Sequence, residues 1–282
     1  MFRTRFAPSP TGPLHLGHAY SALLGHDMAQ AHGGQFLLRI EDTDSLRSRP
    51  NWEDLIYEDL AWLGISWESP ILRQSERADA YKDALFKLNN LGLLYPCACS
   101  RADIENAASA PQEGVSAFGP DGRIYPGTCR NRQMTDAQSS DAIRLNMAKA
   151  AARLDAGLGY IELKTGTNQR NIISANQLIE LVGDVVLRRR QSGDIAYHLA
   201  AVVDDGAQGV SHVVRGEDLE EATKIHVLLQ CLLGLPTPVY HHHRLIRDES
   251  GKRLAKRNDA KAIRTFRDQG AQPKDIRALV GL

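Results

Sequence analysis

The chain has 282 residues, 43% of them hydrophobic and 24% charged, and its 34 Lys and Arg balance 34 Asp and Glu. This composition excludes a disordered chain, a collagen-like fibre and a disulfide scaffold, and the length allows one large domain or two smaller ones. Zero net charge excludes a chain that is basic throughout and leaves room for a local basic face. No run of about 18 apolar residues suggests a membrane span. The opening MFRTRFAPSP lacks the apolar stretch of a secretory signal, so a cytoplasmic location is expected.

Phe2–Phe6 reads as a short strand, and Ala7–Pro13, with three prolines, as a stiff loop. From Leu14 to about Ala31, apolar residues at three- and four-residue spacing (Leu16, Ala19, Tyr20, Leu23, Leu24) predict a helix, which Gly33-Gly34 ends. Gln35–Ile40 is a second strand, so residues 1–40 predict a βαβ unit and a parallel sheet. Helices are expected over 51–65 and 75–91. Residues 97–133 hold three of the four cysteines and a Gly/Pro/Ser/Ala-rich stretch from Ala107 to Pro126, the pattern of an inserted module with a mobile loop. Strand candidates follow at Tyr160–Leu163 and Val185–Leu187. The sheet pattern resumes at Tyr197–Asp204 and Ser211–Arg215, and a helix from Glu220 to Leu233 ends at Gly234-Leu235-Pro236. Between Gly251 and Arg277, nine Lys and Arg face three Asp.

The sharpest local motif is His15-Leu16-Gly17-His18, which opens a helix directly after a strand and a stiff loop. A helix N-terminus offers unpaired N–H groups and a partial positive charge, which suit phosphate. Two imidazoles three residues apart share one face, and Gly17 lets a flat ring approach the backbone. The second motif is Lys252-Arg253-Leu254-Ala255-Lys256-Arg257, a basic loop after a turn, suited to neutralising charge on phosphates. Together these resemble the HIGH and KMSKS signatures of class I aminoacyl-tRNA synthetases. The whole opening Arg5–His18 resembles the glutamyl/glutaminyl group of that family. So do Leu38-Arg39-Ile40-Glu41-Asp42-Thr43-Asp44, Val202-Val203-Asp204-Asp205 and Val214-Arg215-Gly216-Glu217-Asp218. One departure is Ala255, where the second signature usually carries Ser.

The resemblance implies a Rossmann-like α/β parallel-sheet catalytic core split by a zinc-bearing insertion. The expected divisions are catalytic halves at 1–92 and 186–246, an acceptor-binding-like insertion with a zinc knuckle at 93–185, and a truncated stem-contact region at 247–282 with the KMSKS-like loop. It implies an adenylate-forming ligase with His15, His18 and Lys256 as catalytic residues. ATP, carrying Mg²⁺, would meet His15, Gly17, His18, Arg253, Leu254, Ala255, Lys256 and Arg257. L-glutamate would meet Arg5, Phe6, Ala7, Pro8, Ser9, Glu41, Tyr197 and Arg215. Two Arg and one Glu suit a ligand with two carboxylates and one ammonium, and glutamine would leave an Arg uncompensated.

Cys97, Cys99 and Cys129 supply three thiolates, and a structural zinc site wants four ligands. No histidine occurs between Arg101 and Tyr197, and the Tyr-x-x-x-Cys pattern of a short subgroup of the family makes Tyr125 the expected fourth ligand. Cys231 reads as a core residue, and His241-His242-His243 as a plain sheet edge. Arg188-Arg189-Arg190 reads equally as an RNA contact or a solvated strand end. Ordinary glutamyl-tRNA synthetases are far longer, because they carry anticodon-binding domains. The short architecture resembles a branch that activates glutamate without tRNA and attaches it to the queuosine base at the wobble position of tRNA(Asp). The expected RNA partner is therefore that anticodon loop, whose single-stranded base can be splayed into a pocket. No membrane and no obligate protein partner are expected. The alternatives are a truncated glutamyl-tRNA synthetase charging the 3′ end of tRNA(Glu) and a catalytically silent paralogue that binds tRNA or glutamate.

Overall fold

The structure, a computed structural model, describes residues 1–107, 118–154, 157–164, 167–247 and 261–282. In chain order the first elements are β1 (Arg3–Phe6), α1 (Leu16–Ala31), β2 (Gln35–Ile40), α2 (Pro50–Trp62), β3 (Glu68–Arg73) and α3 (Ala78–Asn90). Next come β4 (Leu94–Cys97), α4 (Arg101–Ala107), the two-residue strands β5 (Phe118–Gly119) and β6 (Gly122–Arg123), β7 (Ala142–Leu145) and α5 (Met147–Ala151). These are followed by β8 (Leu158–Lys164), β9 (Thr167–Ile173) and β10 (Val186–Arg188). The chain then forms α6 (Tyr197–Ala207), β11 (His212–Gly216), α7 (Thr223–Leu233), β12 (Val239–His243), α8 (Ile263–Asp268) and α9 (Pro273–Val280).

β1, β2 and β3 pair in parallel, as the opening βαβ pattern requires. On its other side β1 meets β11, where the Ser211 N–H donates to the Arg3 carbonyl at 3.0 Å. β11 continues in parallel to β12 and then β8, and β9 closes that sheet antiparallel. The strand order therefore reverses at β1 and β11, the switch point at which open α/β sheets bind ligands beyond their C-terminal strand ends. A separate antiparallel sheet, β10-β7-β4, belongs to the middle segment.

α1 buries Ala19, Ala22, Leu23, Gly25 and Ala29. Its small residues allow close packing: a side chain at Gly25 would touch the Phe36 ring at 3.4 Å. The carboxyl-terminal helices dock onto α1. Ile263, Ile276 and Val280 join its core cluster, and Arg277 forks onto Asp27 at 2.7 and 2.9 Å. A second core joins β4, β7 and β10 to α6, α7, β11 and β12.

Three expectations are corrected. Tyr197–Asp204 lies in helix α6, not a strand. A short apolar run fits a strand or a helix buried on most sides, and α6 buries seven of its residues, His198 to Val202 plus Asp204 and Asp205. Cys231 is exposed rather than in the core, because α7 turns Leu228, Leu229 and Gln230 inward in its place. His241–His243 lie on β12, which is flanked by β11 and by β8 from the middle segment and is no sheet edge. The basic loop with Arg253, Leu254, Ala255, Lys256 and Arg257 lies outside the described residues, as do residues 108–117 of the Ala107–Pro126 stretch. No described helix is long and apolar enough to cross a membrane.

Candidate active site

A cavity of about 360 Å³ opens at the switch point, at the C-terminal ends of β1 and β11 and the N-terminus of α1. Of the residues expected to meet glutamate, Arg5, Phe6, Ala7, Glu41, Tyr197 and Arg215 line it, and so do His15, Gly17 and His18. Pro8 and Ser9 do not line it. Pro8 instead anchors the loop, its carbonyl accepting the Glu41 N–H at 3.0 Å. The cavity is also lined by Ser21, Asp218 and His243, to which the sequence reading assigned no role.

The start of α1 is capped by its own histidines. His15 is the N-cap, and its Nδ1 accepts the Gly17 N–H at 3.1 Å. His18 reaches back, its Nδ1 accepting the His15 N–H at 3.2 Å. Both rings use Nδ1 as an acceptor, so each neutral ring carries its proton on Nε2. The rings lie 3.8 Å apart between centroids, tilted by 30°. A side chain at Gly17 would sit 3.0 Å from His15 Cε1, so the ring that needs this glycine is that of His15 itself. The Gly17 N–H is thus already taken by the His15 ring.

Beside this pair lies a buried cluster of four charges. Arg5 donates to Asp205 through Nε and Nη2 at 2.9 and 3.4 Å. Arg39 donates to Asp205 Oδ1 at 2.7 Å and to Glu41 Oε1 at 3.2 Å. Burial pushes the Asp205 carboxyl up, but Arg5 and Arg39 outweigh it and hold it down at about 2. Burial dominates at Glu41 and pushes its carboxyl up against the pull of Arg39 and Arg5. Two cations and two anions cancel, which revises the charge count made from sequence: Arg5 and Glu41 already have partners of opposite sign.

Arg215 differs. Among the described residues no carboxylate pairs with its guanidinium. Nε donates to His242 Nε2 at 3.2 Å, Nη1 to His226 Nδ1 at 3.0 Å, and Nη2 to Thr223 Oγ1 at 2.7 Å and the Leu219 carbonyl at 3.2 Å. Burial, then the neighbouring Arg215 charge, drives His226 well below the ordinary histidine range, so that ring is neutral. Tyr197, at the N-terminus of α6, packs 5.4 Å from the His226 ring, and burial pushes its phenol up.

The strand-order reversal, the paired histidines and the Arg-lined cavity all lie within one matched family region. The family model for class I tRNA synthetases (E and Q), catalytic domain, matches residues 1–282. The chain belongs to this family. A relative from Rhodobacter capsulatus named glutamyl-Q tRNA(Asp) synthetase is 57% identical, with 99% of each chain covered. One of the same name from Symbiobacterium thermophilum is 41% identical over 96% of this chain and 83% of its own. The solved glutamate-tRNA synthetase of Elizabethkingia anophelis superposes with a TM-score of 0.76 at 26% identity. That match covers all of this chain and 61% of the longer enzyme. The chain is thus a class I synthetase-like ligase of the glutamyl-Q type, and its parallel-sheet core is the catalytic fold of that class.

The three cysteines of this ligase converge at the end of β4, where their Sγ atoms lie within 4.8 Å of one another. Tyr125, 3% exposed, places Oη 3.4 Å from the Sγ atoms of both Cys97 and Cys99, and Cys99 and Cys129 are 3.6 Å apart. A tetrahedral zinc with bonds near 2.3 Å to sulfur and 2.0 Å to oxygen requires S–S and S–O edges of about 3.8 and 3.5 Å, which the Cys97–Tyr125, Cys99–Tyr125 and Cys99–Cys129 separations approach. Burial raises the Cys129 thiol, but hydrogen bonds from Tyr125, the Ala98 backbone and Cys99 outweigh it and hold the thiol at about 7. Burial lifts Cys99 to about 11. The Arg144 guanidinium stacks 4.0 Å over the Tyr125 ring, while burial and the hydrogen bonds to the three thiols push the phenol well above its ordinary range.

Proposed function

We propose that this ligase activates L-glutamate with ATP, without tRNA, and transfers the glutamyl group to the queuosine base at the wobble position of tRNA(Asp). The observation that carries the glutamate reading is Arg215, a buried guanidinium whose described hydrogen-bond partners include no carboxylate, lining the cavity beside the balanced Arg5–Arg39–Asp205–Glu41 cluster. A side-chain carboxylate of the substrate is the complement such a cation lacks. Glutamine would leave it uncompensated, the kind of mismatch that sites reject strongly.

In this reading Tyr197, Arg5, Phe6 and Ala7 shape the pocket around that carboxylate, the Pro8-Ser9 loop borders it, and Glu41 receives the α-ammonium. His15 and His18 face the triphosphate, with Gly17 leaving room for the His15 ring to cap the helix. The glutamate α-carboxylate attacks the α-phosphorus in line and pyrophosphate leaves; a hydroxyl of the queuosine base then attacks the activated carbonyl, forming the ester and releasing AMP. No enzyme nucleophile is needed. Catalysis is positioning plus charge stabilisation, with Lys256 and the neighbouring Arg253, Leu254, Ala255 and Arg257 closing on the phosphates. Mg²⁺ arrives on ATP as part of the substrate.

Zinc, held by Cys97, Cys99, Tyr125 and Cys129, would supply a closed structural knot for the middle segment, as that set has no open position for chemistry. We assign residues 1–92 and 186–246 to the catalytic halves, 93–185 to the insertion and 247–282 to a stem-contact region. The bacterial relatives support a cytoplasmic setting. The test supplies ATP, Mg²⁺ and radiolabelled glutamate with two purified RNAs, queuosine-containing tRNA(Asp) and tRNA(Glu). Label confined to tRNA(Asp), and lost when the RNA lacks queuosine, is the expected result. Label on tRNA(Glu) makes the chain a minimal aminoacyl-tRNA synthetase, and label on neither, without pyrophosphate exchange, makes it a silent paralogue.

A further inference from the structure

Arginine can only donate hydrogen bonds, and this fixes the ring tautomers of the histidines behind Arg215. Because Arg215 Nε donates to His242 Nε2, the neutral His242 ring carries its proton on Nδ1. That proton points at Glu162 Oε2, 2.8 Å away, while Glu162 Oε1 accepts the His242 backbone N–H at 2.8 Å. Glu162 is fully buried, and the His242 side chain is 1% exposed. A second arm runs from Arg215 Nη1 to His226 Nδ1 and from His226 Nε2 to His198 Nδ1 at 3.0 Å. His198 Nε2 then lies 3.3 Å from Asp121 in the β5–β6 turn. Glu162 sits on β8 and Asp121 beside β6, so both carboxylates come from the middle segment, while Arg215 belongs to the catalytic sheet. The two acids orient the histidines without touching the guanidinium. Its charge is therefore held in place without being neutralised at contact.

We propose that Glu162, acting through His242, is a positioning residue for Arg215 and sets the preference for glutamate over glutamine. The proposal rests on the glutamate-activation reading. An amide at position 162 offers one acceptor where the carboxylate offers two. The E162Q change thus loses the His242 backbone bond or turns an N–H toward His242 Nδ1. In the latter case the ring proton moves to Nε2 and opposes Arg215 Nε–H. Hydrogen bonds involving charged groups carry enough energy for an effect of about tenfold or more on glutamate binding.

Two measurements test this. In ATP–pyrophosphate exchange, E162Q is expected to raise the KM for glutamate about tenfold and to narrow the glutamate-to-glutamine ratio of kcat/KM. The KM for ATP should stay within about twofold. Adding H242Q to E162Q returns an amide oxygen to Arg215 and should recover at least about threefold of the lost KM. Long-range ¹⁵N–¹H NMR on the wild-type chain should show His242 as the Nδ1–H tautomer and His226 as Nε2–H, which needs no variant to fold. An unchanged glutamate KM and amino-acid ratio in E162Q, or the opposite tautomer at His242, overturns the proposal. Absence of glutamate-dependent exchange in the wild type overturns the activation reading instead.

Discussion

Replacing Asp205 by asparagine removes one of four charges in the buried cluster and leaves Glu41 as the carboxylate still hydrogen-bonded there, with buried Asp204 acting on Arg39 at longer range. Asp205 is 5% exposed and accepts three hydrogen bonds from the two guanidinium groups. Its carboxyl is held at about 2 against an ordinary 3.8, and that depression corresponds to about 2 kcal/mol of native-state stabilisation. The folded value lies below the unfolded one, so this contribution is complete above about pH 4 and is lost as pH falls toward 2. Stranding a buried charge by deleting its partner costs about 3–5 kcal/mol. The expected loss for D205N at pH 7.5 is therefore about 2–5 kcal/mol, read as a lower urea midpoint by far-UV circular dichroism. The glutamate KM should rise as well, because Arg5 loses the fork that aims it. The double variant R39Q/D205N returns the cluster to zero net charge, so its loss should fall short of the summed single losses by at least about 1 kcal/mol. A D205N loss below about 1 kcal/mol, or additivity of the two changes, would refute the balanced-quartet account.

Asp59 on α2 is fully buried without a hydrogen bond, its nearest cation being Arg267 at 3.6 Å, and burial lifts its carboxyl to about 6. The folded chain keeps a proton there that the unfolded chain releases, so stability should fall by about 2–3 kcal/mol between about pH 4 and 6. D59N should abolish that part of the slope and be the more stable protein at pH 7.5, as urea titrations at pH 5 and 7.5 would reveal. G17A forces the His15 ring from its cap. A lost cap and a gained helix former are each worth about 1 kcal/mol, so the melting temperature should stay within about 3 °C. The adenylation kcat should nevertheless drop at least about tenfold, and an unchanged kcat would separate the ring from catalysis. Elemental analysis should find one zinc per chain, held more weakly against a chelator in Y125F than in the wild type. A zinc-free wild type would end the four-ligand reading.

The opening βαβ unit was legible because its signals are local: a periodic face on α1, a Gly-Gly stop and apolar strands on either side. α6 was not, because a helix buried on most sides loses the polar face that reveals its period. The ends of β12 looked like a sheet margin only because the strand that covers them, β8, lies about 80 residues earlier. The same distance effect governs the site. Arg5, Glu41 and Arg215 stood out as chemistry-bearing residues in recognisable strings and Tyr197 entered through the resemblance, and the fold gathers them at one cavity. Asp205 and Arg39 lay in those same strings without a role, since what a buried carboxylate does depends on which cation 166 or 200 residues away it meets. The tautomers behind Arg215 are set by contacts that no linear motif encodes.

The β1–β11 seam carries a consequence for how the chain is made. Arg3 and Ser211, which join the two halves of the sheet, are 208 residues apart. At roughly 5–20 residues per second of synthesis, β1 waits between about 10 and 40 s for the strand that covers its open side. During that interval β1–β2–β3 presents an unpaired strand edge, with N–H and C=O groups open to foreign strands. The nascent amino-terminal half is therefore the stretch on which chaperones should act, and β11 leaving the ribosome is the event that releases it.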